Sequence, residues 1–259
     1  MDVFKTIVTS FFPNKCICCG EVIGEDEYFC DYCYGMLEQI DCSKNCKICG
    51  LPKKDCNCKY HVFHFNRCIA PFENEGTAKE AIYRCKFAKW KAGYKFFAER
   101  MSIAVKTYYN DVDFDGVAYV PMRKLKKLKR GFNQAEELAI GMGNILDIPV
   151  FQDVLFCAKG KQTQHNLKYK ERFENVKGRY GYNYSITGKT VLLVDDIKTT
   201  GASLDECAKQ LVLAGASKVY CVTGVMTNNR KEEKKNGFGY WYRFGFFKNR
   251  NIFKFKGSA

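Results

Sequence analysis

With 259 residues and 46% apolar side chains, the chain can build one good-sized core plus an accessory module, which excludes wholesale disorder. It contains no apolar run of the roughly eighteen residues that a transmembrane helix needs. A formal net charge of +14 favours polyanionic partners, whether phosphorylated ligands, nucleic acid or an acidic membrane face, without choosing among them.

Three regions differ in composition: a cysteine-rich module over 1–66, an apolar-periodic body over 67–226, and a basic aromatic tail over 227–259. Residues 1–13 lack the apolar core and cleavage site of a secretory leader. Of the fifteen cysteines, ten fall between Cys16 and Cys58, mostly as close pairs. In a reducing, cytoplasmic setting, which this reading expects, such pairs are metal ligands rather than disulfides.

The pairs are Cys16 and Cys19, Cys30 and Cys33, Cys46 and Cys49, and Cys56 and Cys58. Glycine follows Cys19 and Cys49, permitting the tight turn that aims two sulfurs at one ion. The simplest partition gives two four-cysteine sites, Cys16, Cys19, Cys30, Cys33 and then Cys46, Cys49, Cys56, Cys58. The second set is less regular, and Cys42, His61 or His64 could substitute in it. All-sulfur sites have no open position, so Zn²⁺ here is expected to be structural, a staple for a module without a core of its own.

In the body, Thr77 to Val105 reads as largely helical, with Ala81, Cys85, Ala88 and Ala92 on one face. Gly116–Val120 is a short buried strand stopped by Pro121. A basic loop, Arg123 to Arg130, precedes a helix that Asn133 caps, with Glu136 reaching back. Val191–Val194 is a second strand, and Ser203 and Glu206 form another capping box. Leu204, Cys207, Ala208, Leu211 and Val212 make a helical stripe ended by Gly215, and Val219–Val225 returns as a strand. Strand, helix, strand in this order is a βαβ unit of a parallel sheet.

The segment Val191 to Ser203 carries the chemistry. Four apolar residues run into Asp195 and Asp196 at the strand's carboxyl end, where open α/β sheets bind ligands. Thr199, Thr200, Gly201, Ala202 and Ser203 then open a helix, and amides plus hydroxyls there can cradle a phosphate. Carboxylates beside such a cradle suit ribose hydroxyls or a divalent cation. A receiver domain also places paired acids after a strand, but near the start of its fold; here the pair is late and the Thr-Thr-Gly turn follows at once. A phosphorylated ribose fits best.

This segment resembles the phosphoribosyl pyrophosphate motif of type I phosphoribosyltransferases. Arg130-Gly-Phe-Asn-Gln134, the polar stretch Gln164, Leu167, Arg172 and Asn175, and the Phe12-Pro13 start before Cys-x-x-Cys-Gly narrow the resemblance to the ComF family, over about residues 11–225. The resemblance implies an α/β fold: a type I phosphoribosyltransferase-like parallel sheet with a small N-terminal four-cysteine zinc-ribbon module. It implies that Asp195 and Asp196 bind ribose hydroxyls and Mg²⁺, and that Thr199 to Ser203 hold the 5′-phosphate. It also implies that Pro121, Met122 and Arg130 meet pyrophosphate, while Lys168, Lys170 and Arg172 close over it from a hood. Asp195, Asp196 and Arg172 would then be the catalytic set. Lys86 resembles a lysine of the family's early helix, with no role assigned. The family's link to natural competence implies partners in DNA uptake, and no membrane insertion.

The tail holds nine basic, two acidic and nine aromatic residues from Thr227 onward. Such mixing serves sequence-tolerant binding of single-stranded DNA, and equally a final strand or an unstructured extension.

Overall fold

Burial on both faces of one strand organises the molecule. In this computed structural model, which describes residues 13–56, 58–59, 61–87, 92–158 and 169–228, Val191, Leu192, Leu193 and Val194 are all fully buried. The side chains of residues 92, 169 and 170 are excepted from that description. Their strand is flanked by a parallel partner on each side, as both-face burial requires. Strands are β1 Arg67–Ile69, β2 Phe72–Glu73, β3 Gly116–Tyr119, β4 Leu155–Cys157, β5 Tyr180–Tyr182, β6 Thr190–Lys198 and β7 Lys218–Met226. Helices of the described residues are α1 Asp31–Gly35, α2 Gly76–Phe87, α3 Ala92–Tyr108, α4 Lys124–Arg130, α5 Gln134–Leu146, α6 Tyr169–Val176 and α7 Ala202–Leu213.

The main sheet runs β1-β7-β6-β3, all parallel, with β2 also pairing with β7. The β6-α7-β7 unit is the βαβ crossover read from the sequence. A separate antiparallel hairpin, β4 with β5, carries α6 between its strands in chain order. Residues 13–228, where described, belong to one compact unit; residues 229–259, and with them the expected tail chemistry, lie outside the described residues.

Four local expectations are corrected. The β6 strand does not stop at Val194: its ladder with β7 continues through Asp195, Ile197 and Lys198, so both aspartates sit on the strand rather than past it. The basic segment after Arg123 is not a loop. Its Lys, Leu and Arg are good helix formers, and Lys124–Arg130 is helical with no residue buried. Ser203 caps nothing; Gly201, at φ 89°, is the residue before α7, and Glu206 accepts from the Gly178 N–H at 3.0 Å. Asn133 does cap α5 through the Ala135 N–H, but Glu136 turns to Lys127 at 2.6 Å. The stripe of α7 is buried as expected at Leu204, Cys207, Ala208 and Leu211, while Val212 is 46% exposed. On α2, Ala81 and Cys85 are fully buried; Ala88 and the Ala92 side chain lie outside the described residues.

The cysteine module rests on the sheet and α3. The Cys68 amide of β1 donates to Ile48 at 2.8 Å, and Phe29 meets Phe96 of α3 edge-on with ring centres 4.9 Å apart. Gly50, at φ 75°, leaves no room for a side chain between its turn and the β1 backbone. These contacts supply the apolar support that the module's own composition lacks.

Candidate functional site

The site begins with two neighbouring carboxylates on one strand. Successive strand residues alternate sides, yet Asp195 and Asp196 remain close enough to interact and line one cleft together. Asp196 turns toward α2 and meets Lys86 Nζ at 3.0 Å, an ion pair with both side chains largely buried. Asp195 accepts the Asp196 backbone N–H at 2.8 Å and lines a cleft on each side of itself. Burial and the adjacent Asp196 charge push the Asp195 carboxyl well above the usual range. Burial acts on Asp196 as well, but the Lys86 charge and hydrogen bond outweigh it and hold that carboxyl below its ordinary value.

Beyond β6 the chain turns sharply at Thr199, Thr200 and Gly201. The Thr200 hydroxyl accepts from the Ala202 N–H at 3.3 Å and so fixes the turn. Only glycine takes φ 89° without strain, and a Cβ there would also crowd the Lys198 stem at 3.2 Å. The Ser203 and Leu204 amides at the start of α7 meet no acceptor among the described residues. Free amides at a helix start, together with the helix dipole, are donors that an anion could use.

A cleft of about 280 Å³ opens over this turn. Thr199, Thr200, Gly201, Ala202, Ser203 and Asp195 form its floor, and Arg172, Asn175 and Arg179 reach it from α6 and the residues after it. A second cleft of about 160 Å³ lies on the far side of Asp195. It brings Pro121, Met122 and Arg130 together with Lys86, Arg123, Lys126 and Asp196. Partial desolvation and the charges of Arg130 and Lys86 hold the Lys126 ammonium below the usual lysine value, a sign of a strongly positive wall. Asp195 and Arg179 line both clefts.

The geometry thus gathers Asp195, Arg172 and residues 199–203 in one cleft, and Asp195, Asp196, Pro121, Met122 and Arg130 in the other. Gln164, Leu167 and Lys168 lie outside the described residues, as does the Lys170 side chain. The residue missed at sequence level is Arg179, which no motif flags; Lys126 belongs to the basic stretch after Arg123, and Lys198 to the Val191–Ser203 segment, where the sequence shows no role for it. The partner of Lys86 was also hidden, because 110 positions separate it from Asp196.

The module's cysteines close into two clusters, Cys16, Cys19, Cys30, Cys33 and Cys46, Cys49, Cys56, Cys58, with all sulfurs of each within 4.8 Å of one another. A tetrahedral ion with bonds of about 2.3 Å to sulfur sets its sulfurs roughly 3.8 Å apart. The Cys19–Cys30, Cys46–Cys58 and Cys49–Cys56 sulfurs stand at 3.7 Å, and Cys46–Cys56 at 3.3 Å, so the clusters fit an ion such as zinc. Backbone N–H groups of Cys19, Cys30 and Cys18 outweigh burial and bring the Cys16 thiol down to about 7, whereas burial and the Cys30 sulfur push the Cys33 thiol well up. Cys42 is buried elsewhere and donates to Ala70 at 3.4 Å. His61 and His64 both engage Asp205 of α7, at 2.8 and 3.1 Å, so neither joins the second cluster.

Comparison with known proteins adds relatives. The chain is 32% identical over 108 residues to Competence protein F of Haemophilus influenzae, an alignment covering 40% of this chain. It spans only about half of that protein's length, 47%. Competence protein ComFC of Bacillus subtilis is 27% identical over 205 residues, 73% of this chain and 80% of that one. Among solved structures, glutamine phosphoribosylpyrophosphate amidotransferase from B. subtilis, complexed with ADP and GMP, has a TM-score of 0.35 and 20% identity, covering 50% of this chain and 25% of that one. No protein-family model matches the chain. The resemblance to the ComF proteins read from the motifs stands on these competence relatives.

Proposed function

We propose that this ComF-like chain binds phosphoribosyl pyrophosphate, or a closely related phosphoribosyl ligand, together with Mg²⁺, and acts in DNA uptake. The observation that carries the reading is the shared lining: Asp195 lines two clefts, one formed by the turn before α7 and the other by a cluster of cations. A ribose bearing phosphate at both ends matches that layout. Its 5′-phosphate would accept from the Ser203 and Leu204 amides, and its hydroxyls would donate to Asp195 and Asp196. Pyrophosphate would lie beside Pro121, Met122 and Arg130, with Arg172, Lys168 and Lys170 closing from the hood.

Mg²⁺ suits the donor set, because Asp195 and Asp196 are adjacent carboxylates that line one cleft and only Asp196 is paired with a lysine, Lys86. Bound there, it would neutralise charge on the departing pyrophosphate. The reaction such a site supports is displacement of pyrophosphate at the anomeric carbon by an incoming nucleophile. Arg130, Arg172 and Arg179 would orient the ligand and stabilise the leaving group electrostatically. No side chain in either cleft offers itself as selector of the acceptor.

In this reading the chain divides into a zinc ribbon over 1–66, a phosphoribosyltransferase-type body over 67–226, and a basic tail over 227–259. Both zinc sites are structural, since four thiolates close each one. The names of the relatives support a role in competence. A second reading, a non-catalytic single-stranded DNA-handling factor whose pocket only senses a phosphoribosyl group, is favoured by α4, whose lysines are exposed and continue the cationic lining of the cleft.

Calorimetric titration of phosphoribosyl pyrophosphate with Mg²⁺ into wild type and Asp195→Asn tests the proposal. Saturable binding lost in the variant is expected. Equal affinity in both proteins would remove the site assignment. Salt-dependent single-strand binding unaffected by Asp195→Asn, without ligand binding, would favour the second reading.

A further inference from the structure

Among the buried charged side chains of the described residues, one lacks a partner. Asp55 meets Asn228 at 2.8 Å, Asp196 meets Lys86, Asp205 holds two histidines, and Glu206 accepts the Gly178 N–H. Lys198 is 2% exposed, and its ammonium has no acceptor among the described residues. The stem is buried while the residue lines the cleft over residues 199–203, so a cation with no counter-charge from the chain faces a space that an anion from outside could fill.

The position itself is fixed. Lys198 is the last residue of β6, in register with Met226, and its carbonyl accepts the Thr227 N–H at 2.8 Å. Its stem passes beneath the left-handed turn at Gly201, with Cε 3.2 Å and Nζ 4.0 Å from where a Gly201 Cβ would stand. Although almost wholly buried, the side chain lines the cleft over residues 199–203. A cation is thus set under the same turn whose Ser203 and Leu204 amides are free.

We propose that Lys198 is the counter-charge for the phosphate bound at this turn, and that it makes the subsite prefer a terminal phosphate monoester to an internal diester. The inference rests on the phosphoribosyl reading and refines it. A monoester carries close to two negative charges near neutral pH, a diester one. The amides and helix dipole match the first charge; the Lys198 ammonium, on a largely buried stem at the cleft, matches the second.

The test titrates ribose 5-phosphate and its methyl phosphodiester into wild type, Lys198→Met and Lys198→Arg, with thermal melts to verify folding. Wild type should prefer the monoester. Lys198→Met should lose about ten- to a hundredfold in monoester affinity and bind both esters alike, while Lys198→Arg keeps the preference. Unchanged monoester affinity in Lys198→Met, or an equal loss for both esters, overturns the role of Lys198 and leaves the phosphoribosyl reading standing. Wild type binding neither ester overturns both.

Discussion

Replacing Lys86 by Met asks how much the ion pair beneath the site contributes. The substitution keeps the aliphatic stem and removes the ammonium 3.0 Å from Asp196. Breaking a fully buried pair costs about 3–5 kcal/mol, because a charge is left uncompensated. Here the side chains are 20% and 11% exposed, so solvent recovers part of that, and about 2–4 kcal/mol is expected. The sign of the pH dependence follows from the carboxyl. Asp196 is held below its ordinary value in the folded protein, so its contribution is present above the unfolded value of about 3.9 and fades as pH falls through the folded one. In Lys86→Met the lysine no longer offsets burial, Asp196 rises, and the part of the acid destabilisation that Asp196 causes shrinks or reverses, the loss of stability being largest near neutral pH. Urea unfolding of wild type, Lys86→Met, Asp196→Asn and the double variant isolates the coupling. A coupling under about 0.5 kcal/mol, with unshifted acid sensitivity, would refute the reasoning.

Asp195→Asn should abolish ligand binding yet stabilise the metal-free protein. Folded Asp195 favours its protonated form, a contribution present below the unfolded value and lost as pH rises through the raised folded one, so at neutral pH an amide relieves repulsion. A rise in Tm of roughly 2–4 °C per kcal/mol relieved is expected by calorimetry, and a lower Tm would count against it. Gly201→Ala should destabilise by about 1–2 kcal/mol through its left-handed φ, and weaken phosphoribosyl binding by pressing on Lys198. Wild-type stability and affinity in that variant would mean the turn differs in solution. Metal analysis should find two zinc equivalents, one of them lost in Cys30→Ser and the other in Cys49→Ser; a single equivalent in wild type would break the two-cluster assignment.

The parts legible in the sequence are those fixed by near neighbours. Val191 to Val194 could only be a strand buried on both faces, and the cysteine pairs partitioned into the clusters their spacing suggested. The continuation of β6 through Asp195 to Lys198 was hidden because charged residues interrupt an apolar run, and the ladder with β7 overrides their weak strand preference. Strands of two or three residues, such as β1, β2, β4 and β5, are too short to show a period. The site's long-range pairs left no trace: Lys86 and Asp196 are 110 positions apart, and His61 and Asp205 are 144. The His61 and His64 latch shows why the second cluster looked ambiguous. Those imidazoles serve α7, and only the fold reveals it.

Crystals soaked with phosphoribosyl pyrophosphate and Mg²⁺ offer the most direct view of where the ligand sits. The account predicts the 5′-phosphate against the amides of Ser203 and Leu204, the sugar hydroxyls at Asp195 and Asp196, and pyrophosphate beside Arg130. Density for the ligand on another surface, with residues 195–203 untouched, would contradict it.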